Sequence, residues 1–387
     1  MQKAVLFKGT YATLDLFTDE IYKELKKQGF NVLIFDVNNF QQSLMKFAQF
    51  AQTPIAFALS YNNLGFNMEL VPGHNMWDQL GIKFINILMD HPFHYHKALI
   101  DAPKDCIVFT CDRNHVEYIK RFYPNIAQTY YLPHGAAYTD CGKEWDQRSI
   151  DVLYAGGLSS DLVDGLKPDV SKYTDFDAND LVNCVTDTLI RNPSMTTENA
   201  IEQYLSDIGL LYQDDKLREI ISDFRIVESY AVSYFREKVI ETLVNAGINV
   251  TVYGNGWTKR EVINNPHMKY GGLISPSDVL EKMKESKIVL NTMTWFKDGS
   301  HDRVFHGMLA GAVCVTDYSK YISEVVKNGY NGFVFELDKL GDMTKLIRDI
   351  LAGNADVEKI IENGRKTGIK EHLFDSRVEI ILKYLKN

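Results

Sequence analysis

Cysteine is scarce in this 387-residue chain, and the five cysteines follow no pattern. Cys106 and Cys111 lie too far apart for a Cys-x-x-Cys motif, and Cys314 lies in an apolar run typical of a strand. The odd number and irregular spacing indicate neither a zinc site nor a disulfide framework. We therefore expect a protein of a reducing compartment, the cytoplasm.

Long apolar runs and positive charge are also lacking. No run reaches the roughly 18 apolar residues that a membrane-spanning helix needs. The N-terminal stretch MQKAVLFKGTYATL lacks the architecture of a signal peptide. Lysine and arginine number 42 against 51 aspartates and glutamates, a net charge of −9. This excludes a general surface for nucleic acid or anionic membranes, although a local basic patch could still bind one phosphate group.

The chain is too long for one ordinary hydrophobic core, so two domains are expected. Short apolar runs alternate with helical patterns from KAVLF at residues 3–7 to QTYYLPHG at residues 128–135. The alternation repeats from IDVLYAGG at residues 150–157 to GFVFEL at residues 332–337. Strands buried on both faces are continuously apolar, as these are, so the pattern predicts an α/β fold with doubly wound parallel sheets.

We predict a Rossmann-like N-terminal domain at residues 1–139 and a second domain at residues 150–373, joined by the polar linker DCGKEWDQRS. The second domain carries an acidic, helical insertion at about residues 158–236. Residues 374–387 form an amphipathic C-terminal helix, with packing against the N-terminal domain as one option. Two such domains face each other across a cleft at the carboxyl ends of their strands, where ligands bind.

The stretch KDGSHDRVFHGMLAGAVCVTD, residues 297–317, contains the strongest candidate site. A helix that begins at Asp302 has an apolar core face and a second, polar face. The core face comprises Val304, Phe305, Met308 and Leu309, and the polar face comprises Asp302, Arg303, His306 and Ala310. A cation in the first helical turn costs roughly 0.3–1 kcal/mol against the macrodipole. A bound phosphate would remove that cost, because helix amides and a guanidinium both bind its oxygens. The alternative is a solvated surface patch.

Other loops that follow predicted strands are weaker candidates. TDYSKYISEVVKNG offers the amides of Tyr318 and Ser319, with Glu324 in the first turn of the next helix. AGGLSS contributes Gly156 and Gly157, and YGNGW contributes Tyr253 and Gly254. Turns need glycine in any case. None of these loops matches GxGxxG or a P-loop, which argues against NAD(P) binding and ATP hydrolysis.

Together these motifs resemble a known family. The block VLNTMTWFKDGSHDRVFHGMLAGAVCVTDYSKYISEVVKNGYNGFVFEL resembles the donor-binding C-terminal domain of GT-B-fold glycosyltransferases, in particular the CgeB-type (spore-maturation-like) group related to the family-4 retaining enzymes. VTVYGNGW and KYGGLISPSDVLEKMKESKIVLN match the same pattern. LMDHPFHYHKAL, FTCDRNHVEYIKRFYP and LPHG are similar to the accompanying acceptor-side N-terminal domain. The resemblance covers nearly the whole chain, and the insertion matches least.

The resemblance implies a set of residues that bind the nucleotide-sugar donor: Gly156, Gly157, Tyr253, Gly254, Leu273, Arg303, His306, Tyr318, Ser319 and Glu324. Asp298 falls at the first acid of a Glu-x7-Glu pair, which touches the donor sugar, and Arg303 would meet the diphosphate. His306 replaces the second acid, which hydrogen-bonds the ribose hydroxyls in relatives. Imidazole cannot bind two hydroxyls as a carboxylate does, and Glu324 is a candidate for the missing group.

Two further motifs have competing interpretations. HPFHYH, residues 91–96, suggests zinc, but its spacing and lack of acidic ligands argue against it. His91 either contacts the sugar or acceptor in the cleft, as a general base in an inverting reaction, or packs under a loop. His134 and Gly135 either line the cleft or shape a turn. Asp175 and Asp177 form a DxD spacing, for which a solvated acidic face is favoured over a manganese site. We expect no metal or cofactor.

The predicted function is glycosyl transfer of the hexosyltransferase class. By resemblance, the donor is a nucleotide-diphosphate sugar, a UDP-sugar, the acceptor is a protein or glycan, and the reaction is retaining and metal-independent. Nucleic acid is not an expected partner. Two alternatives stay open: a nucleotide-sugar epimerase on the same fold, and a protein that binds nucleotide sugars without catalysis, for which His306 is the best argument.

Overall fold

The computed structural model describes residues 2–158 and 163–386, and the chain divides into two compact units. Unit 1 comprises Met1–Ala137 and His372–Asn387, and unit 2 comprises Tyr138–Glu371. Each unit has its own sheet and its own core. Ser159 and Ser160 of the predicted AGGLSS loop lie outside the described residues.

Unit 1 contains a six-stranded sheet in the order β2-β1-β3-β6-β7-β8, in which every pairing is parallel. Its elements in chain order are β1 (Lys3–Lys8), α1 (Ala12–Lys27), β2 (Asn31–Asp36), α2 (Phe40–Phe50), β3 (Phe57–Tyr61), the antiparallel hairpin β4 (Glu69–Val71) and β5 (His74–Asn75), α3 (Met76–Leu80), β6 (Lys83–Leu88), α4 (His96–Ile100), β7 (Cys106–Thr110), α5 (Arg113–Phe122) and β8 (Gln128–Tyr131). The interior strands β3 and β7 are buried along their whole length, as a sheet covered on both faces requires.

Unit 2 contains a second six-stranded parallel sheet, in the order β11-β10-β9-β12-β13-β14. Its elements are β9 (Ile150–Ala155), α6 (Ala178–Arg191), α7 (Thr197–Asp207), α8 (Asp214–Asp223), α9 (Ile226–Asn245), β10 (Val250–Tyr253), β11 (Met268–Tyr270), α10 (Pro276–Lys284), β12 (Ser286–Asn291), α11 (Asp302–Leu309), β13 (Val313–Asp317), α12 (Lys320–Val325), β14 (Phe333–Phe335), α13 (Leu340–Leu351) and α14 (Val357–Glu371). The order changes direction between β9 and β12, where ligands bind in such sheets.

The predicted insertion contains the helices α6, α7 and α8 and the first half of α9. Residue 236, its predicted end, lies in the middle of α9, because no glycine or proline interrupts the helical pattern from Ile226 to Asn245. The second half of α9 packs its apolar side chains into the core of the sheet, among them Val239, Ile240 and Leu243. One helix therefore links the insertion to the sheet.

The last helix, α15 (Phe374–Leu385), belongs to unit 1. It packs against α1, and Phe374, Val378 and Ile381 are buried in the core that α1 and the sheet share. The ring of Phe374 lies 5.5 Å from that of Phe17. A backbone hydrogen bond of 2.7 Å from the Ala136 amide to the His372 carbonyl joins the chain at the two places where it leaves and re-enters the unit.

Candidate active site

The loops that follow β9, β10 and β11 are joined by backbone hydrogen bonds. The amide of Gly156 donates to the carbonyl of Tyr253 at 2.9 Å, and the amide of Leu158 donates to Asn255 at 2.8 Å. The amide of Gly254 donates to Gly272 at 2.9 Å. The three loops therefore form one surface at the carboxyl end of the sheet, next to the point where the strand order reverses.

Glycine at this surface permits a close approach of two backbones. Gly254 has a φ of +132°, and a Cβ placed on it would lie 2.6 Å from the carbonyl carbon of Gly156. A Cβ on Gly156 would lie 3.1 Å from Nη1 of Arg303 and 3.0 Å from the Tyr154 hydroxyl. The structure thus brings together three predicted donor-binding residues that are separated in sequence: Gly156, Gly254 and Arg303.

Helix α11 is buried on both faces. The predicted core residues are at most 1% exposed, but Asp302, Arg303 and His306 are also buried, at 8%, 8% and 2% exposed. The interpretation of this face as a solvated surface patch is therefore wrong. The polar face is covered because the loops after β9 and β12 lie over it, and its charges must be balanced inside the protein.

Arg303 has an unused donor. Its Nη2 lies 3.0 Å from Nε2 of His301. Its Nη1 is buried and makes no hydrogen bond of good geometry among residues 2–158 and 163–386; the Tyr154 hydroxyl interacts with the guanidinium but is already hydrogen-bonded to the Thr292 hydroxyl at 2.6 Å. Burial lowers the pKa of the guanidinium; Tyr154 opposes this shift, and the positive charge of Arg236 adds to it. A buried cation with a donor to spare is suited to binding an anion.

Arg236 is a further candidate for the anion-binding site, and no sequence motif indicated it. It projects from α9, is 8% exposed, and donates from Nη1 to the carbonyl of Gly157 at 2.5 Å. In the part of the chain that the structure describes, its Nε makes no hydrogen bond. Arg236 shares a helix face with the buried residues Val232 and Val239, so a cation on an apolar stripe was a signal that the sequence offered.

Asp302 accepts contacts from two imidazoles. Its Oδ1 lies 2.6 Å from Nδ1 of His301, and its Oδ2 lies 3.2 Å from Nδ1 of His306. Because Nε2 of His301 faces the Arg303 donor, the proton of neutral His301 belongs on Nδ1, which donates to Asp302. In this tautomer the two 3.3 Å approaches to that same nitrogen, from the amide and from Nε of Arg303, are not hydrogen bonds.

These contacts determine the charges of the cluster. Burial on its own would raise the pKa of Asp302, but the interactions with His301 and His306 outweigh it, so the pKa lies well below its ordinary value. Burial and then the Arg303 charge lower the pKa of His301. Asp302 is therefore an anion held by two N–H donors, and neutral His301 accepts from Arg303. The aspartate orients the cluster that supports the arginine.

The loop between β12 and α11 carries Asp298. This carboxylate is 7% exposed and lies 3.7 Å from Nζ of Lys320. Ser319 is fully buried; its Oγ donates to the carbonyl of Gly299 at 2.5 Å and accepts from the Ile322 amide at 3.0 Å. Ser319 thus caps α12 and ties it to the Asp298 loop, while Tyr318 is half exposed.

Glu324 does not lie in the first turn of α12, as the sequence predicted. The helix begins at Lys320 after the Ser319 cap, which makes Glu324 its fifth residue, and the side chain is exposed. The predicted dipole interaction is therefore wrong for this position, because it is confined to the first turn. Leu273, after β11, is 70% exposed, and the Tyr253 ring lies against the backbone of Gly271.

The same β12–α11 loop is fixed to the insertion. Trp295 has a left-handed backbone with a φ of +63°, and its Nε1 donates to the Met195 carbonyl at 3.0 Å. Nζ of Lys297 donates to the Pro193 carbonyl at 2.6 Å and lies 3.3 Å from the centre of the Trp295 ring. A left-handed non-glycine residue costs about 1–3 kcal/mol, and it persists because these contacts determine its position.

His91 lies in unit 1 in an aromatic cluster. Its ring stacks on Phe93 with centroids 3.8 Å apart, and its Nδ1 accepts from the Phe93 amide at 3.2 Å. The rings of His115 and Tyr118 lie within 4.3 and 4.7 Å. Burial, and to a smaller extent His94, hold its pKa well below the ordinary value. The geometry matches the packing alternative; a role in catalysis stays a prediction.

The other sequence candidates have structural contacts. Asp177 is the N-cap of α6, and Asp175 accepts a hydrogen bond from the Tyr212 hydroxyl. The carbonyl of buried His134 accepts from Arg377 at 2.8 Å, so this segment is tied to α15. Across the described ranges, no group of three or more His, Cys, Asp or Glu side chains is arranged to hold a metal ion. No helix in those ranges is long and apolar enough to cross a membrane.

The sequence and the fold are similar to those of known proteins. A family described as "Glycosyl transferase-like" matches residues 235–383. No curated protein matches the chain. An alpha-glucosyltransferase (AGT) solved with UDP is 10% identical, with both chains fully covered and a TM-score of 0.58. The Anabaena protein Alr3699/HepE, solved with UDP and glucose, is 12% identical, with both chains fully covered and a TM-score of 0.51. The chain has the GT-B fold.

The chain also matches TarM, of which it spans 55%, at 12% identity and a TM-score of 0.46. At these identities the solved structures establish the fold and not the reaction. The matched family segment begins at Phe235, one residue before Arg236, and ends in α15. It therefore contains both buried arginines and the Gly254 loop, but not Gly156.

Proposed function

We propose that this protein is a glycosyltransferase that uses a nucleotide-diphosphate sugar as its donor. The observation that carries the proposal is the pair of buried guanidinium groups, Arg236 and Arg303, which both adjoin the Gly156–Gly157 backbone. Each has a buried N–H without a partner in the described ranges. Each guanidinium makes the charged form of the other less stable by repulsion. A diphosphate bound to both would neutralise the charges and accept hydrogen bonds from the unpaired N–H groups.

The same residues have a role in the reaction. When the bond between the sugar and the diphosphate breaks, negative charge develops on the leaving group. Two fixed guanidiniums and the amides of the glycine loops stabilise that charge without reorganising, which lowers the barrier. Asp302, through His301, holds Arg303 in place and is a positioning residue. Asp298, in the loop fixed to α12, is proposed to hydrogen-bond the donor sugar.

The finer assignments rest on the resemblance and on what related folds bind. UDP is the proposed nucleotide because the alpha-glucosyltransferase and Alr3699/HepE were each solved with UDP. A retaining, metal-independent transfer of a hexose is proposed from the resemblance to family-4 enzymes. Leu273, Tyr253, His306, Glu324 and the backbone amide of Tyr318 are proposed donor contacts, with His306 at the ribose. The proposed acceptor is a protein or a glycan.

One structural neighbour raises the question of a nucleic-acid acceptor. An alpha-glucosyltransferase of the same fold was solved with UDP and a 13-mer DNA containing an HMU base, with a TM-score of 0.58. The present chain has a net charge of −9, which opposes binding to a polyanion. A protein or glycan acceptor is therefore favoured, and a DNA oligonucleotide belongs in any acceptor panel.

Calorimetry with UDP and UDP-glucose tests the donor site. We expect Arg303→Ala and Arg236→Ala each to weaken UDP binding by about 10- to 100-fold, the value of a charge-assisted hydrogen bond. The matched control is Arg121→Ala, at an exposed position on α5 in the other unit, which should bind UDP as the wild type does. Equal UDP affinity in all four proteins would contradict the site.

Catalysis is tested by following UDP-glucose, UDP-galactose and UDP-N-acetylglucosamine by NMR. Sugar transferred only when a glycan or protein acceptor is added supports the proposal. Conversion of one UDP-sugar into another without acceptor would identify an epimerase instead. UDP binding with neither transfer nor hydrolysis would identify a protein that binds nucleotide sugars without catalysis.

A further inference from the structure

A cavity of about 360 Å³ lies in unit 2 at the carboxyl ends of β13 and β14. The turn between α6 and α7 and the segment after β14 both line it. Its polar lining includes Arg191, Asn192, Lys297, Tyr318, Glu336 and Asp338. The volume is within the range of small-molecule sites.

The walls of this cavity are held in place. The Lys297 and Trp295 side chains donate to two carbonyls of the α6–α7 turn, at 2.6 and 3.0 Å. The amide of Lys320 donates to the Lys297 carbonyl at 2.9 Å, which connects the same loop to α12. The left-handed backbone of Trp295 is maintained by these contacts. The insertion thus supplies a fixed wall beside the loop that carries Asp298.

The lining indicates a neutral, hydroxyl-rich ligand. Arg191 and Lys297 contribute two positive charges and Glu336 and Asp338 two negative charges, so the side chains balance. Carboxylates accept hydrogen bonds, guanidinium donates and the Asn192 amide does both, while a sugar hydroxyl can donate and accept. The half-exposed ring of Tyr318 offers an apolar face for the C–H groups of a sugar.

The ion pairs that the lining residues already form do not prevent a ligand from binding in the cavity. Arg191 lies 3.5 Å from Asp187, with both side chains more than 60% exposed, and Glu336 lies 2.8 Å from Lys339, with both more than half exposed. Solvent-exposed pairs of this kind contribute little to stability. A ligand can therefore replace them at small cost.

The position of the cavity separates it from the donor diphosphate. The arginine pair lies at the ends of β9 and β12, and the cavity lies at the ends of β13 and β14. Along the sheet these two places are two strand spacings apart, about 10 Å. A donor sugar is bonded directly to its phosphate, so the next carbohydrate unit is the better occupant.

We propose that this cavity binds a neutral carbohydrate ring of the acceptor. Its role as an acceptor site rests on the proposed transferase function, but carbohydrate binding itself can be measured without any reaction. The insertion, which formed the least matched part of the family resemblance, then determines which acceptor is used. The sugar of the donor is the other carbohydrate that could occupy the cavity.

Saturation-transfer NMR on the full chain tests the cavity, with glucose, galactose, N-acetylglucosamine and maltose as probes. We expect at least one saccharide to bind the wild type, and Asp338→Ala and Asn192→Ala to weaken that binding by at least tenfold. Asp342→Ala, an exposed aspartate on the neighbouring helix α13, is the matched control and should bind normally. Absence of saccharide binding, or equal binding in the Asp338 variant, would overturn the proposal.

Competition experiments then show whether the cavity binds the acceptor or the donor sugar. Saccharide binding that persists at saturating UDP-sugar supports an acceptor site. Displacement by a UDP-sugar but not by UDP would overturn the acceptor assignment and give the cavity to the donor sugar. UDP binding is measured in the same samples, so that the donor site and the carbohydrate cavity are tested separately. If the protein binds no UDP, saccharide binding to the cavity can still be measured.

Discussion

Asp302 and His306 lie one turn apart on α11, and 3.2 Å separates Oδ2 of the carboxylate from Nδ1 of the imidazole. The family resemblance of the sequence implies a glutamate in relatives at the position of His306. A glutamate there would face the buried, ionised Asp302 as a like charge. The histidine is thus matched to an aspartate one turn earlier, and the two positions are expected to change together.

A His306→Glu variant tests this coupling. We expect it to lower the free energy of unfolding by about 3 kcal/mol, because it places a second, unpaired carboxylate in a buried site. Adding Asp302→Asn should restore most of that loss. Urea denaturation of both single variants and the double variant gives the coupling energy. Additive effects, with no recovery in the double variant, would show that the two side chains do not interact.

Gly254 is expected to be intolerant of any side chain. Gly254→Ala forces a φ of +132° on alanine and puts its methyl 2.6 Å from backbone, so we expect a loss of about 3 kcal/mol or more. Gly353, with a φ of +80° and open space around its Cβ position, is the control and should lose about 1 kcal/mol. Equal losses in denaturant midpoint would mean that the loops can separate.

Gly156→Ala is expected to affect binding more than folding. Its methyl would lie 3.1 Å from Nη1 of Arg303, in the space proposed for the diphosphate, while the arginine can shift by a few tenths of an ångström. We expect the thermal midpoint to change by a few degrees at most and UDP affinity to fall about tenfold. Calorimetry and thermal unfolding on one sample measure both. Unchanged affinity would place the diphosphate elsewhere.

Asp317 gives the protein a distinctive dependence on pH. Burial raises the pKa of this carboxyl to about 6, against the opposing charge of Lys297 and the hydrogen bond from the Met293 amide. Between pH 4 and 6 the folded state holds a proton that the unfolded state has released. Stability therefore falls as the pH rises through this window, by about 3 kcal/mol in total.

The Asp317→Asn variant isolates this effect. The amide keeps an oxygen for the Met293 amide but does not titrate, so the variant should gain stability relative to the wild type as the pH rises from 4 to 6.5. Urea unfolding at four or five pH values measures the difference. Parallel stability curves would show that Asp317 titrates alike in both states.

His91→Asn separates packing from catalysis. Asparagine can still accept from the Phe93 amide as an N-cap but loses the ring stacked at 3.8 Å. We expect a lower thermal midpoint and turnover within about twofold of the wild type, because an imidazole whose pKa is far below neutrality is a weak general base. A loss of turnover of 100-fold or more, with the fold intact, would assign His91 to the reaction.

The sheets could be predicted from sequence because their strands carry the signal locally. The apolar runs AVLF in KAVLF and VLY in IDVLY are buried, and the structure places both segments in parallel sheets. Gly156 and Arg303 could be nominated separately because each follows a strand, and parallel topology brings such positions to one edge of the sheet.

The contacts between distant segments could not be predicted in this way. Arg236 meets the carbonyl of Gly157, 79 residues earlier, because α9 crosses from the insertion to the sheet. The two imidazoles on Asp302 depend on side-chain directions at the helix start, which periodicity does not determine. Glu324 was misplaced because the Ser319 cap sets the start of α12 at Lys320, which makes Glu324 the fifth residue of the helix and puts it beyond the first turn.

The return of α15 to unit 1 has a consequence for the order of events during synthesis. Unit 2 is contiguous in sequence and is translated before α15, whereas the core around Phe17 is completed only by Phe374, Val378 and Ile381. Residues 2–137 are synthesised before unit 2, yet their core is completed only by α15, and an apolar groove stays uncovered in the meantime. Chaperone engagement with nascent chains should therefore persist until α15 has been synthesised.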